Sequence, residues 1–399
     1  MEHADIAVVG TGAIGAAAAW RLAERGADVV AFERFAPGHA LGSSHGDTRL
    51  FREACLEHPD LTPMAQSSRA LFRELEALSG DELLTITGGV MIGAADSSVV
   101  SGTVAAAERA GLPLEHLDAA GVRERFPQHA GIGDRDVAVL DPGAGVARPE
   151  RTVRAAAAAA SARGARIITG TRVTAIEPGT DGVVIRTADA AWHVDRVILA
   201  AGAWLPGFAP WLRLTPIRTP LTWLSPREHG DTAFAVAAFP VVVRQLDAEN
   251  VLWGHGALDG GLVKIGRGDI WGEERPGIDP DHVDRGVTSD DWRLLSPLVS
   301  RALPGLEPVP SRVEPCMITL SPDDQFVIGA SPDSERVIVA GGDSGHAFKH
   351  CLAIGEVKCS HAPRSRRSRS SSSTSCGRRG SPPRFPATGR RAPSHVALP

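Results

Sequence analysis

Asp5-Ile6-Ala7-Val8-Val9 opens the chain with a short apolar run that stops at Gly10. A run without alternation, ended by glycine, predicts a strand buried on both faces, as in a parallel sheet. Ala13 to Arg25 follows as an alanine-rich helical stretch with Gly26 in the stop position. Val29-Val30-Ala31-Phe32 is a second buried run. Together they predict a βαβ unit of about thirty residues, the opening of a doubly wound sheet.

Further along, Met64 to Leu78 and Ser101 to Ala110 have helical periodicity. Arg151 to Arg163 is a stronger helix, with six consecutive alanines, ended by Gly164. Ala165–Thr169 and Val183–Thr187 read as a strand hairpin, and His193 to Ala200 as a return strand leading into Gly202. From Pro216 to Val309 the chain is rich in Trp, Pro and Gly, with strand-like runs at Val241–Arg244 and Leu262–Ile265. This region is expected to form a mainly antiparallel cover over a ligand. Arg336 to Ala340 is a last buried strand, ending at Gly341-Gly342.

Composition changes this picture in two places. The 399 residues, 43% hydrophobic and 22% charged, suit a soluble protein with one large core or two intimate ones. No apolar run reaches the length of a membrane span, and the acidic N-terminus is not a signal peptide. Five scattered cysteines with no C-x-x-C spacing argue for the reducing cytoplasm, against a disulfide framework and against a metal site. The net charge of −5 is divided: from Cys359 onward nine arginines and no acid give +9, leaving −14 on the remainder. That Arg/Ser/Pro-rich tail, residues 358–399, is expected to be disordered. A nucleic-acid arm is one reading of it. The reading preferred is a frameshift product, because the change after Gly355-Glu356-Val357 is abrupt.

The candidate chemistry begins at Gly10-x-Gly12-x-x-Gly15, between the first strand and its helix. Gly10 permits the tight turn, Gly12 lets backbone N–H groups approach a pyrophosphate, and Gly15 permits close packing of helix on strand. Glu33 ends the second strand, where a carboxylate can accept from both ribose hydroxyls and repel a 2′-phosphate. These residues predict a dinucleotide site and leave NAD and FAD equally open.

Three later stretches bear on that choice: the polar loop Gly42-Ser43-Ser44-His45-Gly46-Asp47-Thr48-Arg49-Leu50-Phe51-Arg52, the strand end Val197 to Trp204, and Gly341-Gly342-Asp343-Ser344-Gly345-His346-Ala347-Phe348-Lys349. With Cys316-Met317 in order between the last two, the sequence resembles the sarcosine oxidase and N-methyltryptophan oxidase family of flavoproteins over residues 4 to 357. The resemblance implies an α/β fold: a Rossmann-like FAD-binding domain interleaved with an α+β substrate domain carrying a mainly antiparallel sheet. The FAD-binding domain is placed at residues 1–85, 145–215 and 313–357, and the substrate domain at 86–144 and 216–312.

It also implies FAD bonded through its 8α-methyl group to Cys316, assisted by a basic neighbour, Arg49 or His45. Arg52 and Lys349 match the pair that grips the substrate carboxylate. A guanidinium offers two parallel donors to a carboxylate and an ammonium adds a point charge. Arg49 and Lys264 match cations facing the flavin ring, where positive charge favours electron transfer to oxygen. The remaining cofactor contacts implied are Ile14, Arg34, Ser43, Ser44, Thr48, Val173, Gly202, Trp204, Gly342, Gly345 and His346.

Two departures affect the substrate. The sarcosine-type pattern has a histidine where this chain has Gly268, and a tyrosine where it has Ile318; the chain has no tyrosine at all. Arg267, Asp269, Trp271, Trp253 and His255 are expected to shape a different pocket, with Trp253 and Ile318 touching substrate. The implied reaction is oxidation of a secondary or N-methyl amino acid to an imine. Oxygen becomes hydrogen peroxide, and the enzyme works as a monomer with neither nucleic acid nor membrane as partner. A flavin dehydrogenase with another acceptor, an NAD enzyme and an inactive, truncated relative are the alternatives.

Overall fold

A computed structural model of the chain describes residues 1–268 and 276–360, with the side chains of 357–360 excepted. Asp269, Trp271 and the Arg-rich tail beyond 360 lie outside the described residues. The strand Glu2–Val9 lies at the centre of a sheet, parallel to Val29–Phe32 on one side and Ala191–Leu199 on the other. Its last four residues are buried, as the unbroken apolar run requires.

The predicted helix forms over Ala13–Glu24 and the long alanine helix over Pro149–Ala162. Pro149 sits in the first turn, where its missing N–H removes no helical bond. Ala13–Glu24 packs against Pro149–Ala162 and also against a third helix, Cys351–Ser360. Alanine and glycine let their backbones approach closely: a Cβ at Gly355 would stand 2.7 Å from the Ala17 Cβ.

The hairpin expected from Ala165–Thr169 and Val183–Thr187 does not form. Arg166–Ile168 pairs in parallel with Val29–Phe32 at the sheet's outer edge, whereas Val183–Arg186 pairs antiparallel with Ala175–Pro178 and Ala191–Leu199. Both runs are β-branched and short, and nothing local distinguishes a hairpin from two separate insertions. Ala191–Leu199 then divides its far edge. Its first half meets Val183–Arg186, and its last three residues meet the final strand Ser334–Gly341 in parallel.

A second eight-stranded sheet lies over the first. Its order is Arg312–Leu320, Thr215–Leu224, Val263–Arg267, Val251–His255, Val241–Gln245, Gly89–Ala94, Asp136–Asp141, Glu115–Leu117. It is antiparallel except where Val241–Gln245 runs beside Gly89–Ala94. Its two longest strands, Thr215–Leu224 and Arg312–Leu320, had no strand signal because Pro216, Pro220 and Pro315 interrupt them. Pro220 faces Pro315 across the ladder, so two residues without N–H groups share one gap in it. The span from 313, assigned above to the dinucleotide unit, thus begins with a strand of this second sheet. A third, small sheet joins Arg49–Phe51, Gly145–Ala147 and Leu84–Ile86.

Candidate active site

The two large sheets enclose a cavity of about 1250 Å³. Its floor is the glycine fingerprint. Gly10 has φ 89°, and a Cβ there would stand 2.6 Å from the Ala200 carbonyl oxygen. A Cβ on Gly15 would stand 1.8 Å from the Gly10 carbonyl oxygen, so the helix can lie on the turn only with glycine at this position. Gly12 differs: a Cβ there would find only the Ser44 hydroxyl, at 3.8 Å. That bare backbone begins the helix Ala13–Glu24 and faces the cavity, where a helix N-terminus favours a phosphate.

Glu33 borders the same cavity, 4% exposed. It accepts hydrogen bonds from the Thr11 N–H and hydroxyl, both at 2.9 Å, and from the Phe35 N–H at 2.9 Å. Burial alone would raise its carboxyl, but His39 and these N–H groups hold it below its ordinary value. Ile14, Ser43, Ser44, Val173, Gly202, Gly342, Gly345 and His346 line the cavity too. Ser44 Oγ accepts from the Ala13 N–H, and Ser43 Oγ is buried without a partner among the described residues. At the outer end Arg34 and Trp204 both engage Asp281, the indole N–H at 2.6 Å.

Deeper in, the small sheet carries Arg49 to the wall. Its guanidinium donates to the Thr48 and Ser43 carbonyls and lies 3.6 Å from Cys316 Sγ. Cys316 lines the cavity while only 3% exposed. Burial pushes its thiol above the ordinary value, and Arg49 and Lys264 oppose that rise. Lys264 is 1% exposed, donates to the Gly46 and Thr48 carbonyls at 2.6 and 2.9 Å, and sits over the Trp223 ring. Burial and the charge of Arg49 pull its ammonium well below its ordinary value. It stands behind the 46–48 turn and not on the cavity lining itself.

His45 and Thr48 also sit in this supporting layer. Thr48 Oγ1 meets His255 Nε2 at 2.8 Å. His45 is buried, with Glu314 3.6 Å from Nδ1, and burial together with Arg49 depresses it to about 4. It is therefore neutral near pH 7.

The predicted carboxylate grip is brought together, with a member that the sequence reading missed. Arg52 and Lys349, 8% and 3% exposed, both bind Oε1 of Glu57, the lysine at 2.9 Å. Glu57 is held ionised, its carboxyl kept well below the usual range by both cations despite burial. Burial and Arg52 lower Lys349, and Glu57 opposes the shift. Arg52 Nε and Nη1 remain buried without a partner among the described residues. A carboxylate five residues after a proposed anion-binding arginine was the available signal. Asp343 was missed as well: it lines the cavity, and burial raises its carboxyl to about 6. Trp253, Ile318, Arg267 and Gly268 line the far wall.

A glycine-rich turn and helix N-terminus at the carboxyl ends of a parallel sheet, with Glu33 ending the second strand, define a dinucleotide-binding protein. The chain belongs to the FAD dependent oxidoreductase family (DAO), which it matches over residues 5–359. It is 35% identical to monomeric sarcosine oxidase from Streptomyces avermitilis, over 88% of this chain and 92% of that one. It is 30% identical to N-methyl-L-tryptophan oxidase from Yersinia pestis, over 88% of this chain and 93% of that one. NikD, an unusual amino acid oxidase of nikkomycin biosynthesis, superposes with a TM-score of 0.77 at 26% identity. That alignment covers 91% of this chain and 94% of NikD. The protein is an FAD-dependent amine oxidase, and the NAD alternative falls.

Proposed function

We propose that this enzyme oxidises the C–N bond of a secondary or N-methyl amino acid, held by its carboxylate, with oxygen as acceptor. The residues fit FAD: Gly12 leaves a bare helix N-terminus, Ser43 offers an unpaired hydroxyl, and Glu33 an ionised carboxylate at the ribose position. When bound, FAD supplies the two-electron acceptor for a CH–NH donor.

The chain's own residues position and charge the site. Arg52 and Lys349 hold the substrate carboxylate, which competes with Glu57 for them. Arg49 and Lys264 provide positive charge next to Cys316, stabilising negative charge that develops there. Cys316 is the proposed attachment point, with Arg49 favouring its thiolate and His45 supporting the loop. No side chain is needed as general base if the amine arrives unprotonated.

The observation that carries this reading is Arg52. A buried guanidinium with two nitrogens unpaired among the described residues, beside a buried ammonium and on the cavity wall, calls for an anionic ligand. We further propose a cytoplasmic monomer acting on a small molecule, with neither nucleic acid nor membrane as partner. Three buried free thiols, Cys55, Cys316 and Cys351, suit a reducing compartment. No helix among the described residues is long and apolar enough to cross a membrane.

A peroxide assay over N-methyl and cyclic amino acids, each compared with its amide, tests the proposal. The acids should react at least about tenfold faster in kcat/KM, the equivalent of one charge-assisted hydrogen bond. Amides turned over as fast as acids would remove the carboxylate grip. Substrate loss without peroxide would replace oxygen with another acceptor.

A further inference from the structure

Three neighbouring strands of the second sheet present one face to the cavity, and that face changes character along its length. Cross-strand pairing sets His255 opposite Lys264, then Val243 opposite Trp253 and Trp253 opposite Gly266. Side chains alternate along a strand, so Val251 and Gly268 share the face of Trp253 and Gly266, one step further from Lys264. The third strand thus contributes no side chain at either of its last two positions on this face.

The consequences differ at the two glycines. A Cβ on Gly266 would stand 2.3 Å from Trp253 Cζ2, so the indole lies across the bare backbone. A Cβ on Gly268 would stand 3.0 Å from Val251 Cβ and 3.1 Å from its Cγ1. Leu50 and Leu56 line the same cavity. Leu50 lies between Arg49 and Arg52 in sequence, and Leu56 precedes Glu57, so this part of the apolar wall shares a segment with Arg52 of the grip. Leu50, Leu56, Val251 and Trp253 are each half-buried: one side packs on the core cluster of Met91, Val99 and Val243, the other borders the cavity. That leaves apolar surface of four side chains, from the 50–56 stretch and the strand Val251–His255, bordering one cavity with the cations that take the carboxylate.

We infer that this recess receives a large apolar α-substituent, branched or aromatic, of the amino acid whose carboxylate lies on Arg52 and Lys349. The inference rests on the function proposed above and narrows it. The unsubstituted α-carbon of sarcosine leaves the recess filled with water. A leucine- or phenylalanine-sized group displaces that water and covers the four side chains.

The test is a kcat/KM series on the flavin-loaded enzyme with an artificial electron acceptor: sarcosine, N-methylalanine, N-methylleucine and N-methylphenylalanine. N-methylleucine and N-methylphenylalanine should exceed sarcosine by at least about tenfold, since one methylene in a fitted pocket gives roughly 10–200-fold. Gly268→Val, whose side chain crowds Val251 toward the recess, should cut the N-methylphenylalanine to N-methylalanine ratio at least about tenfold; Val251→Ala, which widens it, should raise that ratio. Sarcosine equal to or faster than the bulky substrates, or ratios unmoved in both variants, overturns the inference and leaves the proposed function standing. Failure of all four substrates to react, with flavin bound, overturns both.

Discussion

At the scale of single residues, the site is governed by charges that burial makes strong. Arg52, Lys349 and Glu57 are all nearly removed from water; the two cations hold the Glu57 carboxyl ionised, and Glu57 counters the lowering of Lys349 by burial and Arg52. Removing one member strands its partners. Lys349→Met should therefore weaken a carboxylate inhibitor by about 10–100-fold, the worth of a charge-assisted hydrogen bond, measured by equilibrium titration. Unchanged affinity would place the carboxylate elsewhere.

Lys264 makes a separate prediction, because its ammonium lies behind the 46–48 turn and supplies field without contact. Lys264→Met should slow reaction with oxygen about 100–1000-fold, corresponding to about 2.7–4 kcal/mol for one electrostatic donor, while carboxylate binding changes little. Stopped-flow reaction of the reduced enzyme with oxygen reads this directly. Arg49, Arg52, Cys316 and Lys349 were all legible in the sequence, because each stands in a motif with fixed neighbours. Glu57 and Asp343 were not: an acidic residue is ordinarily solvated, and only the fold reveals that these two face a cavity.

At the scale of elements, glycine decides which backbones can touch. The turn at Gly10, the helix seat at Gly15 and the helix crossing at Gly355 each exclude a Cβ. Gly355→Val should push Cys351–Ser360 away from Ala13–Glu24, lowering stability by about 1–3 kcal/mol. A denaturant midpoint that falls with unchanged slope would show it. The same economy of side chains made the first strand, first helix and second strand readable, since period and glycine punctuation agree there. The proline-interrupted strands Thr215–Leu224 and Arg312–Leu320 were unreadable for the converse reason. Their pairing depends on residues nearly a hundred positions away, and local chemistry argues against it.

At the scale of the molecule, the described interior holds five neutral imidazoles. Burial depresses His45, His255 and His346 to about 4, His129 to about 3 and His350 to about 2. An unfolded histidine titrates near 6.5. Below that pH the unfolded chain binds protons that these folded imidazoles refuse, so their contribution to stability is full above about 6.5 and falls as pH drops toward 4. Glu33 and Glu57, with lowered carboxyls, add to the loss below about 4.5, while Asp343, raised to about 6, partly offsets it. Thermal unfolding midpoints measured from pH 8 to 5 should decline most steeply below 6.5; a flat profile would show that these imidazoles are hydrated.

Under the proposed function the whole arrangement serves one act, the delivery of a carboxylate-anchored amine to bound FAD. Anaerobic mixing of the flavin-loaded protein with an N-methyl amino acid, followed in the visible flavin absorption, tests this most directly. The account predicts rapid bleaching with the acid and slow bleaching with its amide. Flavin that stays oxidised in the presence of every N-methyl and cyclic amino acid would contradict it.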